Sequence, residues 1–364
     1  MKQNLQLILF AFLISGIDIG APSYLIYSIL LILILFTGRG LKFKELPPSC
    51  YPIVFLILWS LSGIGSINKY FLSDVGLMFL GVLWFCFQPS VSFNIKKLNI
   101  LCIIGLLVAL FSNLSNIHIS VESVLNSDIG TEASMLSFVL PLFAIFFYRN
   151  KEYKFCLLNI VCSVIAGKRI AVLGCILVIL IIAIEHFFNK DKFIRIIKLA
   201  AFLLPFIYIQ FTLLLTSGLF DDVILEYTGL SANHFTMGRQ TLYEFVFEKL
   251  GGNTLFGSGT GTVVQILDGY GIDRLHNDFL KIYIENGIIG FSIFLFLLAK
   301  NVNRNTYPYL LYTMVLFLTD NTLLYIAYMV PFYIFEQYDK FFLYDKTKYV
   351  EYSGDLCNPS SLQC

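Results

Sequence analysis

The chain alternates long apolar stretches with short polar ones, and one long polar stretch lies near its C-terminal end. About twelve apolar segments approach or reach the roughly 20 residues that a helix needs to cross a bilayer. They cover residues 4–18, 22–37, 51–66, 70–88, 98–115, 134–148, 155–167, 170–188, 199–216, 279–299, 308–320 and 322–337. Backbone polar groups inside lipid must be hydrogen-bonded internally, and no alternating strand pattern occurs, so we expect helices. The predicted fold is an all-α polytopic membrane protein with about twelve transmembrane helices, ten or eleven being alternatives.

Lysine and arginine are distributed unequally between alternate loops. Cytoplasmic loops of membrane proteins carry an excess of these residues, so the richer set is expected inside. That set is Arg39, Lys42, Lys44, Lys96, Lys97, Arg149, Lys151, Lys154, Lys190, Lys192, Arg195, Lys198, Lys300 and Arg304, whereas the short loops of the other set hold Lys69, Lys168 and Arg169. We therefore expect one transmembrane domain, residues 1–337, whose large external loop covers 217–278. A cytoplasmic tail, 338–364, would follow.

The composition supports a membrane protein and excludes several function classes. The 364 residues are 57% hydrophobic and 13% charged, with a mean hydropathy of +0.78, whereas soluble domains are about 25% charged. A net charge of +1 without a basic tract gives no reason to expect a nucleic-acid partner, and no Walker-type loop indicates a nucleotide site. The eight cysteines form no CxxC pair, so we expect neither a disulfide framework nor a zinc site.

Two cationic positions are candidates for binding an anion. Lys168 and Arg169 lie between two apolar segments on the predicted outer side, against the general bias. One interpretation is a pair whose side chains extend from a helix end to the membrane–water interface. The other is a phosphate site, because arginine can donate two parallel hydrogen bonds to phosphate oxygens. Arg239 precedes an amphipathic stretch at 242–250, where a helix start attracts an anion. A plain surface arginine is the alternative.

A glycine-rich run and a histidine complete the candidate chemistry. Gly257, Gly259 and Gly261 alternate with Ser258 and Thr260, which permits close backbone approach but is also typical of flexible loops. His276 would lie at the outer mouth of a helix bundle, where an imidazole can accept a proton from a hydroxyl. A structural histidine is the commoner case, and Asn277 or Asp278 could equally be helix N-caps. Asp278 could also orient His276, although neighbouring side chains on a helix point apart.

Together these motifs resemble the O-antigen ligase and polymerase superfamily. His276-Asn277, nine residues, and then Gly287-Ile288-Ile289-Gly290 look like the family's spaced histidine motif. Upstream, Gly238-Arg239, a helix, and Asn253-Thr254-Leu255-Phe256-Gly257-Ser258-Gly259 follow the family's order, with Thr254 where the family often has proline. The large outer loop and the basic Arg169 on an earlier outer loop are also similar.

The resemblance implies a glycosyltransferase of the polytopic GT-C type in the bacterial inner membrane, active on the periplasmic side. Its substrate would be an oligosaccharide on undecaprenyl diphosphate, so no cofactor is expected, and a protein that regulates chain length is expected as a partner from the family only. His276 would act as base, with Arg169 and Arg239 on the diphosphate. Substrate contacts are expected from Lys168, Gly257, Gly259, Asn277, Asp278 and Tyr283. We expect inversion at the anomeric carbon, because a single displacement inverts it. We expect a metal-independent reaction, because the sequence has no compelling carboxylate cluster.

Several alternatives stay open at this stage. Glu285 and Asp320 could line the cavity, although a carboxylate at a helix end is a common interfacial feature, and Tyr270, like Tyr283, could stack on a sugar. Polymerase and ligase share these motifs; we favour a polymerase, which joins repeat units, over a ligase, which transfers the polymer to lipid A-core. A flippase would also need many spans, but internal repeats, which such transporters often have, are not seen. A non-catalytic assembly protein is the remaining alternative.

Overall fold

The computed structural model describes residues 51–64, 69–86, 94–112, 135–250, 255–272 and 274–336, with a few isolated positions besides. Within these ranges the chain is helical and contains no strand. The helices are α1 (Tyr51–Ser62), α2 (Lys69–Cys86), α3 (Ile95–Ser112), α4 (Leu136–Arg149), α5 (Tyr153–Ile165), α6 (Arg169–Glu185), α7 (Lys190–Thr216), α8 (Asp221–Thr228), α9 (Ala232–Phe235), α10 (Arg239–Leu250), α11 (Thr262–Asp268), α12 (Asp278–Asn301), α13 (Tyr307–Phe317) and α14 (Ile326–Glu336). A short 3₁₀ turn, Thr322–Leu324, precedes α14.

The apolar segments from residue 51 onward coincide with helices, which confirms the all-α prediction for the described residues. Two helices, α7 and α12, are long and apolar enough to cross a membrane by length and composition. A crossing by each of the remaining helices stays a prediction. The predicted segments 4–18 and 22–37, the acidic loop 116–133 and the tail 338–364 lie outside the described ranges, apart from a few isolated positions.

The largest boundary difference is at α7, which begins at Lys190 and not near residue 199. Asn189 caps this helix, since its side-chain oxygen accepts hydrogen bonds from the main-chain amides of Asp191 and Lys192. The charged first turns therefore belong to the same helix as the apolar part. Hydropathy alone marks only the apolar portion, whereas capping sets the true start.

Helix α12 is the central element of the bundle. It packs against α1, α7, α11 and α13, and most of its first half is buried. The sequence explains this, because α12 carries apolar residues around its whole circumference and not on a single stripe. The residues that begin this helix are thereby held rigidly at one end of the bundle.

The loops meet in two groups that agree with the charge pattern. At one end, Arg149 donates hydrogen bonds to the carbonyl oxygens of Arg304 and Asn305, and Arg304 pairs with Asp191. All of these lie in loops predicted to be cytoplasmic. At the other end, the loops before α6, before α12 and between α13 and α14 contact one another. The alternation of loops is therefore self-consistent, and the side that each end faces stays a prediction.

Candidate active site

The site is organised around the start of α12. Asn277 is the N-cap, and its side-chain oxygen accepts a hydrogen bond from the Leu280 amide at 3.0 Å. Its side-chain nitrogen donates to the hydroxyls of Tyr208 at 3.0 Å and Tyr243 at 3.3 Å. The side chain is fully buried. Of the two alternatives for Asn277, the structure shows the cap, and contact with substrate stays a prediction.

His276 lies immediately before this cap in a strained conformation. Its φ is +53°, in the left-handed region that residues other than glycine adopt infrequently. Such strain persists where the surrounding structure fixes the chain, and it is found most often at functional sites. The side chain is 48% exposed, so a substrate hydroxyl can reach the imidazole.

The carboxylate of Asp320 connects His276 with Lys168. One carboxylate oxygen lies 3.7 Å from the Nδ1 of His276, and the other lies 3.8 Å from the Nζ of Lys168. The hydroxyl of Tyr325 and the main-chain amide of Asn321 donate to the first oxygen at 2.9 and 2.8 Å. Although Asp320 is nearly buried, it therefore has partners on both oxygens.

Burial alone would raise the pKa of Asp320, but its four neighbours outweigh that effect. The imidazole of His276, the ammonium of Lys168, the amide of Asn321 and the hydroxyl of Tyr325 all favour the ionised form, so the pKa is lowered from its ordinary value. The carboxylate therefore stays charged at neutral pH. It can orient the imidazole and stabilise a proton that the ring accepts.

The Asp278 carboxylate bonds to the segment before α14 and not to His276. One carboxylate oxygen accepts from the Leu323 amide at 2.8 Å and from the Thr322 hydroxyl at 3.4 Å, while its own amide donates to the Asp320 carbonyl at 3.2 Å. Asp278 thus fixes the start of α12 to the segment before α14. The carboxylate beside His276 is Asp320, and binding of substrate by Asp278 stays a prediction.

Arg239 reaches the same segment from the polar loop. It is the first residue of α10, as the amphipathic pattern predicted, and its Nη2 donates to the carbonyl oxygen of Thr319 at 3.2 Å. The next residue, Gln240, is buried and donates to the Leu215 carbonyl and the Asp221 carboxylate. These bonds hold the start of α10 against the end of α7. Arg239 and His276 therefore contact adjacent residues, although they are far apart in sequence.

The two cations before α6 occupy different positions. Lys168 is partly buried, with its Nζ close to Asp320 and 5.7 Å from the centre of the Phe138 ring. Arg169 is the first residue of α6 and is exposed. The ammonium therefore belongs to the Asp320 group, and Arg169 lies beside it at the exposed start of α6.

Arg274 is a site residue that sequence reasoning missed. Its guanidinium carbon lies 4.8 Å from the centre of the Tyr325 ring, and the side chain is exposed. Tyr325 in turn donates to Asp320. The available signal was its place two residues before His276, which brings a further positive charge to the same end of the bundle.

The glycine-rich run packs against a break in α12. Gly287 has φ +65° and ψ −177°, which interrupts the helix. A Cβ on Gly257 would lie 2.4 Å from the Glu285 carbonyl oxygen, and one on Gly287 would lie 2.3 Å from the Leu255 carbonyl oxygen. The amides of Ser258 and Gly259 donate to the carbonyls of Ile284 and Glu285 at 3.0 Å each. The glycines thus allow two backbones to touch; contact of Gly257 or Gly259 with substrate stays a prediction.

A buried charged group lies one to two turns further along α12. Glu285 accepts from the indole nitrogen of Trp59 and from the Gly261 amide, both at 3.0 Å. Lys281 forms a 2.5 Å ion pair with Asp74 of α2. Ionisable residues inside an apolar bundle are costly and need partners, and these have them. Asp74 and Lys281 had no signal in the sequence beyond a charge within an apolar run.

The two tyrosines considered for sugar stacking lie in different surroundings. Tyr283 is 8% exposed and packs edge-on against Phe291, with ring centres 6.0 Å apart. Tyr270 is exposed, and its ring lies 4.5 Å from that of Phe245. Tyr283 is therefore part of the core in this structure, and its role in binding substrate stays a prediction. Among the described residues, no cluster of histidine, cysteine and carboxylate side chains could hold a metal ion.

This arrangement can be compared with known proteins. A family model described as O-antigen ligase matches residues 129–295. This match supports membership in the O-antigen ligase and polymerase superfamily. Members of this superfamily are membrane glycosyltransferase-like enzymes that act on lipid-linked polysaccharides, and the match supports a membrane protein of O-antigen biosynthesis. No curated protein and no solved structure gives a significant match.

The region that matches the O-antigen ligase family contains Lys168, Arg169, Arg239 and His276. Asp320 lies beyond it and joins the site only through folding, by way of the α13–α14 connection. The carboxylate that contacts the histidine is thus outside the segment that identifies the superfamily.

Replacing Asp320 with asparagine should lower stability at neutral pH by about 1–3 kcal/mol, since a buried charge with several partners is removed. Because the folded pKa of Asp320 lies below the ordinary value of about 4, its stabilisation is complete above that value and is lost as the pH falls through the lower folded pKa. Thermal unfolding in detergent between pH 7 and pH 3 measures this. The difference in unfolding temperature between wild type and Asp320→Asn should become smaller at acid pH.

Asp191→Asn is the matched control, because Asp191 is exposed and pairs with Arg304 at the surface. Its unfolding should follow wild type across the whole range. If the difference in unfolding temperature between wild type and Asp320→Asn did not change with pH, a charged Asp320 in the folded protein would be contradicted.

Proposed function

We propose that this protein is an O-antigen polymerase, which joins oligosaccharide repeat units carried on undecaprenyl diphosphate at the periplasmic face of the bacterial inner membrane. One observation carries the proposal. Residues 319 and 320 contact Arg239, His276 and Lys168, which come from three separate parts of the chain. An exposed imidazole and several cations thus meet at one end of an apolar helical bundle.

The proposed chemistry is a single displacement. The hydroxyl of the acceptor sugar attacks the anomeric carbon of the donor, and His276 accepts the hydroxyl proton. The bond between that carbon and the phosphate oxygen breaks, and the lipid diphosphate leaves with the electron pair. Attack from the face opposite the leaving group inverts the anomeric configuration. Asp320 stabilises the imidazolium that forms.

Positive side chains balance the charge that develops on the departing diphosphate. Arg169 and Arg239 are the proposed contacts, since an arginine fork matches two phosphate oxygens. Arg274 adds a third guanidinium beside the histidine. We propose a metal-independent reaction because these side chains supply the charge that a divalent cation supplies in other transferases.

The distribution of lysine and arginine between the loops supports the proposed side of the membrane. The three loops that meet at Asp320 all belong to the set that is poor in lysine and arginine, which favours a position outside the cytoplasm. A lipid-linked donor at that face carries its own leaving group. The absence of a Walker-type loop in the sequence fits this substrate.

Reconstitution of the purified protein with a lipid-diphosphate repeat unit tests the function. With EDTA present, a ladder of lipid-linked products would support a metal-independent polymerase. Products that form only when lipid A-core is added would favour the alternative, an O-antigen ligase. Movement of the lipid across the bilayer with no new glycosidic bond would favour the less favoured flippase.

Arg169→Ala and Arg239→Ala should each lower the rate of chain extension by about 100-fold, since one donor to the developing charge is lost. Initial rates in the reconstituted system, at matched amounts of membrane protein, give the comparison. Arg304→Ala is the control, because Arg304 lies at the opposite end of the bundle. Equal rates for all three variants would show that the site arginines do not act on the diphosphate.

A further inference from the structure

Residues 219–237, here called the post-α7 segment, present seven exposed large apolar side chains within the polar loop. The segment follows α7 directly and ends just before Arg239. None of the residues of α8, which lies within it, is buried. The exposed apolar residues are Leu219, Val223, Leu225, Tyr227, Leu230, Phe235 and Met237. An exposed apolar surface of this kind marks contact with a membrane or with another protein.

The apolar surface continues the lipid-facing side of α7. Exposed apolar residues recur along α7 every three or four positions, at Leu203, Leu204, Ile207, Phe211 and Leu214. The ring of Phe211 lies 5.5 Å from that of Phe220, the N-cap residue that precedes α8. The post-α7 segment therefore leaves the bundle next to the surface that α7 presents to lipid.

The charges within the segment show what kind of surface it fits. Val223 and Tyr227 are four residues apart and share one face of α8, while Asp222 and Glu226 share the neighbouring face, on which Leu225 also lies. An apolar face beside a largely acidic one fits a helix that lies along the membrane–water boundary. Since the charged face is acidic, attraction to anionic lipids cannot hold it there, and burial of the apolar side chains must do so.

A strained residue places a further apolar side chain on this surface. Met237 has φ +55° and is 73% exposed. The turn around it is fixed, because the Met237 amide donates to the His234 carbonyl and the Gly238 amide to the Asn233 carbonyl. The chain thus adopts a costly conformation that leaves a thioether outside the protein. An apolar medium at this position would stabilise it.

We propose that the post-α7 segment lies at the membrane–water boundary, in the external leaflet of the membrane that holds the helical bundle, with Tyr227 and Met237 among the lipids. The hydrogen bonds of Gln240 to Leu215 and Asp221 connect this segment to the start of α10. Arg239 would then be held near the depth of lipid phosphates, where a lipid-linked diphosphate could reach it by moving sideways in the leaflet. The choice of leaflet and this last consequence rest on the proposed function; the position of the segment at a membrane boundary does not.

Fluorescence of added tryptophans tests the position. The full chain, carrying Tyr227→Trp or Met237→Trp, is placed in phosphatidylcholine nanodiscs with acyl chains brominated near the headgroup. The fluorescence that each new tryptophan adds to that of wild type should be quenched by brominated lipid and should not be quenched by iodide in the aqueous phase. Glu226→Trp, on the acidic face, should show the reverse pattern. Adding phosphatidylglycerol should change neither result.

The proposal would be overturned if iodide quenched Tyr227→Trp and Met237→Trp as strongly as Glu226→Trp and brominated lipid had no effect. The exposed apolar surface would then fit a protein partner. A second measurement addresses Arg239. Tyr227→Asp should raise the KM for the lipid-linked donor and leave kcat unchanged. Lipid quenching with an unchanged KM would overturn the link to Arg239, whereas inactivity of the wild type towards the donor would count against the proposed function alone.

Discussion

His276→Ala should abolish chain extension while the protein still reaches the membrane in normal amounts. The imidazole is the proposed acceptor of the hydroxyl proton, and loss of such a base lowers a rate by about 10²- to 10⁴-fold. The side chain is about half exposed, and its described contact is the one with Asp320. Polymer ladders from cells, together with initial rates from the reconstituted system, measure the effect.

His234→Ala is the matched control for this experiment. His234 lies in the same polar loop and is exposed, but it has no described contact with Asp320 or Arg239. Wild-type polymer from His234→Ala, and none from His276→Ala, is the expected pair of results. Normal polymer from His276→Ala would remove the histidine from the mechanism, whatever the remaining residues do.

Gly287→Ala should destabilise the protein by about 3 kcal/mol or more, a cost that combines backbone strain with a steric clash. The φ and ψ of Gly287 lie in a region that is essentially restricted to glycine. A Cβ there would lie 2.3 Å from the Leu255 carbonyl oxygen and 2.5 Å from the Gly257 amide nitrogen, and neither backbone atom can move without displacing the loop. Thermal unfolding in detergent and the yield of monodisperse protein measure the loss.

Gly76→Ala provides the comparison, because Gly76 lies within α2 and a Cβ there would meet no atom within 4 Å. It should be neutral or slightly stabilising, since alanine favours a helix more than glycine does. If Gly287→Ala unfolded at the same temperature as Gly76→Ala, the contact between the glycine-rich run and α12 would not be needed for folding.

The helices themselves are well predicted from the sequence because apolar length is a local property. The α12 boundaries differ from the predicted segment by one or two residues at each end, and Arg239 begins a helix where the apolar spacing indicates one. The start of α7 was missed because Lys190 and Lys192 conceal the first turns from a hydropathy criterion, although Asn189 is a recognisable cap.

The candidate site was only partly accessible from the sequence. Residue type and spacing select His276, Lys168 and Arg239, and the structure places all three in contact with residues 319 and 320; their roles stay predictions. Contact of the glycine-rich run with substrate stays a prediction, and the sequence gives no sign of the contact between Gly257 and Gly287 of α12. Periodicity cannot show this, because the contact joins two irregular stretches of backbone.

The amino-acid sequence by itself determined the helical segments, the alternation of loops and the chemical types available at one end of the bundle. Each of these follows from neighbouring residues, through hydropathy, charge bias and motif spacing. Only the tertiary structure decided that Asp320, and not the adjacent Asp278, stands beside His276, and that Lys281 pairs with Asp74, 207 residues away. Such partners depend on how helices distant in sequence pack, since a buried charge accepts whichever opposite charge the packing brings within reach.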